Sequence, residues 1–330
     1  MKLLIFEYIT GGGFNKQALP ASLLAEGELM LRALLDDCSR IDTLTVSILI
    51  DWRCQAIADS YVVTPIVITA DTDVIKAFQG LLDKVDAVWL VAPEFLGILQ
   101  NLTEQVEAAG KRLLTSSAAA VTATADKWRS FQVLEAAGIP TVNTALITGQ
   151  LTYRYGSWVI KPVDGVGCIS IWLVESAQDF AETLARLDNP ENFIIQPFIA
   201  GRAMSLSCLF YQGQGWVLCV NEQVLSVQDR NFKLLGCKVN SFPVTPEIQQ
   251  LVIKVAQAIP GLHGYVGIDF IQTQDEIENW IVEINPRLTS SYVGIYQALG
   301  LNIVRLVLAM GQQVLDIQPV CNVQVDITLS

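Results

Sequence analysis

Gly264-Tyr-Val-Gly-Ile-Asp269-Phe-Ile, the polar turn Gln274-Asp-Glu-Ile-Glu-Asn279 and Trp280-Ile-Val-Glu283-Ile-Asn285-Pro-Arg287 read as two strands joined by a short connection. If that connection centres on Glu276, Asp269 falls opposite Glu283 in an antiparallel pair. Side chains alternate along a strand, so Glu283 and Asn285 share one face while Val282 and Ile284 point to the other. Ile268 and Phe270 likewise turn away from Asp269. One face then gathers two carboxylates and an amide, hard oxygen donors of the kind Mg²⁺ accepts, with phosphate oxygens and water completing the octahedron. A solvated hairpin would show the same alternation. Facing carboxylates without a cation repel, however, and Arg287 just past the strand supplies a guanidinium able to clamp a phosphate at two points.

Upstream, Trp158-Val-Ile-Lys161-Pro-Val-Asp164-Gly-Val-Gly167-Cys-Ile-Ser-Ile delivers a lysine from a strand into a glycine-containing loop. Glycines let backbone N–H groups approach phosphate oxygens, and the lysine adds a point charge; an ordinary turn carries the same signature. Phe193-Ile-Ile-Gln196-Pro-Phe198-Ile-Ala-Gly201 ends a strand in an extended connector that can present backbone polar groups and Phe198 to an adenine; a plain interlobe hinge has the same signature, and the two readings are compatible. Two nucleotide-binding signatures are missing. Gly110-Lys111 is followed by Arg112, with Gln105 in place of the first Walker glycine, and Lys16 breaks a dinucleotide fingerprint starting at Gly11.

Outward from these segments, the chain divides by texture. Over residues 1–115 the apolar runs Leu3–Phe6, Thr45–Leu49, Ala87–Val91 and Arg112–Thr115 alternate with helical periods at Ser22–Asp37 and Gly97–Ala109, a parallel α/β layer. Ser22 is expected to cap the first helix, with Glu26 in its first turn. An Ala/Thr/Ser-rich stretch, Ser116–Ala125, marks a boundary before a helix that Asp126-Lys127 opens. Residues 116–195 form a second unit and 196–330 an α+β third, with helices at Pro246–Ala258 and near Val293–Ala309.

Composition removes several functions. The 330 residues carry 21 basic and 33 acidic side chains, for a net charge of −12, and the pI near 4.6 argues against nucleic acid. Half the residues are hydrophobic (52%) and only 16% charged, which excludes disorder. No run of about 18 apolar residues suggests a membrane span, and Met1-Lys2 leads straight into a strand, too short for a secretory signal. Seven cysteines without a C-x-x-C pair suit reduced thiols in a cytoplasm, and Cys168 reads as a small packed residue. His263, the only histidine, excludes a histidine-rich metal site, so the chemistry is expected to do without imidazole.

In this order and spacing, the segments resemble the ATP-grasp superfamily of carboxylate–amine ligases. The resemblance covers essentially the whole chain and implies an α/β and α+β architecture: an N-terminal Rossmann-like (pre-ATP-grasp) domain, a central lid and a C-terminal lobe. It implies that Lys127, Lys161, Asp164, Gly165, Gly167, Gln196, Phe198 and Ile199 bind ATP. Asp269, Glu283 and Asn285 would hold Mg²⁺ or Mn²⁺, and Arg287 would act at the phosphoryl group. In such enzymes ATP phosphorylates a carboxylate and an amine displaces the phosphate, giving an amide. Gln196 stands where a glutamate is common, and Ala203 where an acidic ribose contact is common. Phe6-Glu7-Tyr8, Thr10-Gly-Gly-Gly13, Ser22-Leu-Leu-Ala-Glu26-Gly27 with Met30, Ala92-Pro93-Glu94-Phe95 and Asn221-Glu-Gln223 look like the tyramine–glutamate ligase group associated with methanofuran-type cofactors. That likeness implies small-molecule carboxylate and amine substrates, with Glu7, Gly12 and Glu94 beside them. A carboxyphosphate-using carboxylase and a non-catalytic nucleotide-binding regulator are the alternatives, and a homodimer is compatible with the sequence.

Overall fold

The computed structural model describes residues 1–148, 151–167, 169–273, 278–312 and 315–329. The apolar runs of the first third form five parallel strands: β1 (Lys2–Glu7), β2 (Thr45–Asp51), β3 (Thr64–Ile68), β4 (Ala87–Val91) and β5 (Arg112–Leu113), in the order β3-β2-β1-β4-β5. Both faces of this sheet are covered, so Leu3, Leu4, Ile5 and Phe6 are fully buried in succession. Such uninterrupted apolar runs are what a parallel sheet requires. Its coverings are α1 (Ala21–Ser39), α2 (Gln55–Ala58), α3 (Val74–Leu82) and α4 (Ile98–Ala108). β3 and α3 carry weak sequence signals: β3 is an edge strand containing Pro65, and Gly80 interrupts α3.

Two helices lead out of this layer. The Ala/Thr/Ser-rich stretch is itself α5 (Ala118–Ala125), capped by Ser117, and Asp126 caps α6 (Lys127–Ala136) by accepting from the N–H groups of Trp128 and Arg129. A second, ten-stranded sheet follows. It contains β6 (Ala145–Leu146), β7 (Trp158–Pro162), β8 (Trp172–Val174), β9 (Phe193–Pro197), β10 (Arg202–Tyr211), β11 (Gln214–Gln228), β12 (Asn231–Phe242), β13 (Gly264–Gln272), β14 (Asn279–Asn285) and β15 (Val325–Thr328). Its order is β14-β13-β10-β11-β12-β8-β7-β9-β6, with β15 on β12. Only the Asn231–Trp172 register joins β12 to β8, a thin connection between β6–β9 and the remaining strands. The other helices are α7 (Ala177–Leu184), α8 (Pro246–Ala258), α9 (Ile295–Leu299) and α10 (Ile303–Ala309).

Three local expectations need correcting. α1 begins at Ala21 with Pro20 at its N-cap, so Ser22 lies inside the helix, and Glu26 lies beyond the first turn. The single helix expected near Val293–Ala309 is broken at Gly300, which takes the left-handed conformation at φ 69°; there an L side chain is strained. β12 was not anticipated, because Gly236 sits within a register shift and Lys233, Lys238 and Asn240 disturb its alternation. No single helix among the described residues is long and apolar enough to cross a membrane.

The N-terminal layer is tied to the C-terminal helices through a buried carboxylate. Asp37 Oδ2 accepts from the Tyr292 hydroxyl (2.7 Å) and the Ile303 N–H (3.3 Å), while its carbonyl accepts from Asn302 (2.8 Å). Burial pushes the Asp37 carboxyl up to about 6 from 3.8, against the lowering pull of its hydrogen bonds. A carboxyl raised in this way favours folding fully below 3.8, and that contribution is lost as pH rises through about 6. Asp37→Asn removes the titration. Its Tm relative to wild type should therefore be about 2–5 °C higher at pH 8 than at pH 5, measured by thermal unfolding. A pH-independent difference would contradict the assignment.

Candidate active site

The β13–β14 pair runs in the expected register, with Asp269 opposite Glu283 and Ile268 opposite Ile284. Beyond Asp269 the register shifts, placing Phe270 opposite Ile281. This bulge leaves Val282 without a ladder partner and turns it into the cleft wall, whereas simple alternation had sent it to the other face. Ile284 remains in the core, 1% exposed.

A cleft of about 1440 Å³, its mouth to solvent included, lies over this pair. It draws residues from widely separated parts of the chain. Lys127, the first residue of α6, is buried; its Nζ donates to the Gly165 carbonyl (2.8 Å) and pairs with Glu283 Oε1 (3.2 Å). Lys161, buried on β7, also lines the cleft, as do Gly165 and Gly167 from the following loop. Gly167 has φ 64°, a conformation natural to glycine. Asn285 Nδ2 donates to Asp269 Oδ2 at 3.3 Å.

Asp269 is the electrostatic focus. Burial first, and the facing Glu283 second, push its carboxyl up to about 7, although hydrogen bonds from Gln223 and Asn285 and the charge of Lys161 oppose the rise. A buried carboxylate under like-charge pressure is stabilised by a nearby cation. Among the described residues no group of three His, Cys, Asp or Glu side chains could hold a metal. Two carboxylates and an amide nevertheless suit a hard divalent cation whose remaining positions are filled by phosphate and water, as Mg²⁺ sites commonly are.

Arg287, just beyond β14, reaches back to the N-terminal layer. Its Nε donates to Glu94 Oε1 (2.9 Å) and Oε2 (3.0 Å), and its Nη1 donates to the Leu288 carbonyl (3.1 Å). Burial alone would lower the guanidinium's pKa, but Glu94, Glu283 and Glu26 together raise it. At the other end of the cleft, Gln196, Phe198 and Ile199 form the wall. Gln196 Nε2 donates to Thr144 Oγ1 (2.8 Å), and the Phe198 N–H is taken by the Ser157 carbonyl (2.8 Å), so that N–H is not available to a ring edge. Ala203 also lines the cleft.

Several expected residues are engaged elsewhere. Asp164 lies outside the cleft lining, where its Oδ2 accepts from the Leu96 N–H (3.0 Å) and ties the glycine loop to the N-terminal layer. Glu7, 2% exposed, accepts from the Ile9 and Thr10 N–H groups and from the Thr10 hydroxyl. Gly12 lines neither the cleft nor the cavity beside Arg287; a Cβ there would sit 2.5 Å from Ile68. Cys168 lies outside the described residues. The structure adds Glu26, Gln223 and Ser290 to the cleft. Glu26 and Gln223 stand within the N-terminal and Asn221-Glu-Gln223 segments already singled out, but no spacing rule marks them as cleft residues. His263 is half-buried beside Tyr211, away from the cleft.

Lysines, a glycine loop and a carboxylate pair thus line one cleft, a set of groups suited to a polyphosphate and a divalent cation. Comparison places it more narrowly. The ATP-grasp domain family matches residues 124–291, and the pre ATP-grasp 3 domain matches residues 44–121. The tyramine–L-glutamate ligase of Methanocaldococcus fervens is 30% identical over 300 residues, 89% of each chain. That of Methanocaldococcus jannaschii is 28% identical, covering 89% of this chain and 84% of its own. The crystal structure of an ATP-grasp superfamily protein from Archaeoglobus fulgidus superposes with a TM-score of 0.72 at 22% identity, covering 98% of this chain and 91% of that one. The chain belongs to the ATP-grasp family, and within it to the ligases.

The Arg287–Glu94 pair links β14 to the N-terminal layer with both partners largely buried, at 13% and 5% side-chain exposure. Glu94→Ala leaves the guanidinium buried without its partner and should destabilise the protein by about 3 kcal/mol in urea unfolding. The Glu94→Ala/Arg287→Ala double variant should lose much less than the sum of the single losses. Strict additivity would show that the pair is not coupled.

Proposed function

We propose that this protein is an ATP-dependent carboxylate–amine ligase that works through an acyl phosphate, joining the γ-carboxylate of glutamate to the amine of tyramine. The observation that carries the reading is the convergence of Lys127, Lys161, Asp269, Glu283, Asn285 and Arg287 on one cleft. The relatives named as tyramine–L-glutamate ligases support the substrate pair. By the same kinship the product belongs to the synthesis of a methanofuran-type cofactor.

A carboxylate oxygen is a poor leaving group, and phosphorylation makes it a good one. One γ-carboxylate oxygen of glutamate attacks the γ-phosphorus of ATP, and the bond to the bridging oxygen breaks to release ADP. The amine nitrogen then attacks the acyl carbon, and the C–O bond to phosphate breaks. Little covalent chemistry is left for the protein, whose task is to position reactants and neutralise charge.

In this reading Gln196, Phe198 and Ile199 cradle the adenine. Lys127, Lys161 and the Gly165–Gly167 loop hold the phosphates. The guanidinium of Arg287, held by Glu94, faces the transferring group. Asp269, Glu283 and Asn285 would hold Mg²⁺ or Mn²⁺, which when bound neutralises charge developing on the phosphates.

Mass spectrometry of products from ATP, Mg²⁺, glutamate and a panel of amines should detect γ-glutamyltyramine with stoichiometric ADP. Failure to form any amide would overturn the reading, and ADP formation dependent on bicarbonate instead would replace it with a carboxylase. Glu283→Gln keeps the side-chain shape but removes the charge. It should lower kcat by at least about 100-fold with an unchanged circular dichroism spectrum, and a near-normal rate would remove Glu283 from the metal site.

A further inference from the structure

A small cavity adjoins the cleft where α1, the glycine loop and the strand ends of the N-terminal layer meet, and Glu26, Gly167, Val166 and Arg287 line both spaces. Its other walls include Leu23, Met30 and Pro93. The charged groups lining it are two carboxylates, Glu7 and Glu26, and one guanidinium, Arg287, whose charge is already paired with Glu94, so the surroundings favour a cation.

One of the two carboxylates is already engaged. Glu7 accepts the Ile9 and Thr10 backbone N–H groups and the Thr10 hydroxyl, and a Cβ at Gly27 would lie 2.9 Å from its carboxylate. Both oxygens of Glu94 accept from Arg287 Nε. Glu26 differs. Its Oε2 accepts from the Ser290 hydroxyl (3.3 Å), whereas Oε1 makes no hydrogen bond to the described residues. Oε1 also lies 3.8 Å from where a Cβ on Gly167 would be, at the junction of the two spaces.

We infer that Glu26 is the anchor for the ammonium group of the amine substrate, and that the small cavity receives the carbon attached to that nitrogen. The inference rests on the amide-forming reading above and assigns one half of its substrate site. The apolar walls suit a primary alkylammonium without a carboxylate of its own, since a substrate carboxylate would face Glu7 and Glu26. Around Glu26 the titratable neighbours are Arg287, Cys237 and Glu7, together with the Ser290 hydroxyl. Burial raises the carboxyl of Glu26, offset in part by Arg287 and Ser290. The ammonium gives one proton to Glu26, and its nitrogen forms the C–N bond as the C–O bond to phosphate breaks. The second N–H proton leaves with the departing phosphate.

Hydroxylamine separates this role from the steps before it. At pH 8 it is largely uncharged, and it traps a γ-glutamyl phosphate as the hydroxamate without needing an ammonium anchor. With Glu26→Gln, glutamate-dependent hydroxamate formation should stay within about twofold of wild type, while kcat/KM for tyramine falls about 100-fold. An unchanged kcat/KM for tyramine, or equal loss of both reactions in a folded variant, would overturn the inference. Wild-type protein that forms neither hydroxamate nor amide would instead overturn the underlying reading, and the inference with it. A measurement on wild-type protein guards against misfolding of the variant. Phenethylamine should compete with tyramine at concentrations at least tenfold lower than uncharged 2-phenylethanol, and equal competition would also overturn the assignment.

Discussion

Two carboxylates held opposite each other in a half-buried antiparallel pair repel, and much of this molecule is arranged around that repulsion. The β13–β14 register fixes Asp269 against Glu283, and the strain is visible in an Asp269 carboxyl pushed up to about 7 by burial and by its neighbour. A like-charge pair of this kind persists on a half-buried cleft wall where surrounding structure or a bound cation compensates. Lys127 provides part of the compensation from the start of α6, through its 3.2 Å contact with Glu283. The position of that lysine depends in turn on Asp126, whose capping of α6 sets where the helix begins.

The same constraint explains why the lobes must meet. Cations are scarce in a chain with net charge −12, so overall electrostatics do not attract an anionic nucleotide, and local placement has to do so. Lys161 comes from β7, Lys127 from α6 and Arg287 from the end of β14. Glu94 fixes the last of these from the N-terminal layer, and the Asp164 contact to the Leu96 N–H brings the glycine loop against that same layer. The cleft thus arises from the packing of separate units on one another. The lone histidine lies outside it, consistent with chemistry carried by lysines, carboxylates and an arginine.

Periodicity and residue type made the parallel layer, the β13–β14 pair and Lys161 legible in the sequence, because each is a local pattern of apolar alternation ending in a polar signature. Gly300, Gly236 and the bulge at Val282 were not legible, since each is a backbone irregularity that tertiary packing imposes on an otherwise regular run. Glu26 shows the same limit for function. On a helix with an apolar stripe it reads as an ordinary first-turn acid, and only the approach of Ser290 and Gly167, far along the chain, gives it another environment. Asp164 was read as a phosphate-loop residue, but the structure turns it toward Leu96, a contact between residues too distant in sequence for spacing to reveal.

The central claim is that the Asp269–Glu283 face is built to receive a nucleotide-bound divalent cation. A crystal structure with Mn²⁺ and a non-hydrolysable ATP analogue, with the metal located by its anomalous signal, tests this most directly. The account predicts a manganese peak within coordinating distance of Asp269, Glu283 and Asn285, with the phosphates reaching Lys127 and Lys161. A nucleotide bound without metal at this pair, or a peak elsewhere in the cleft, would contradict it.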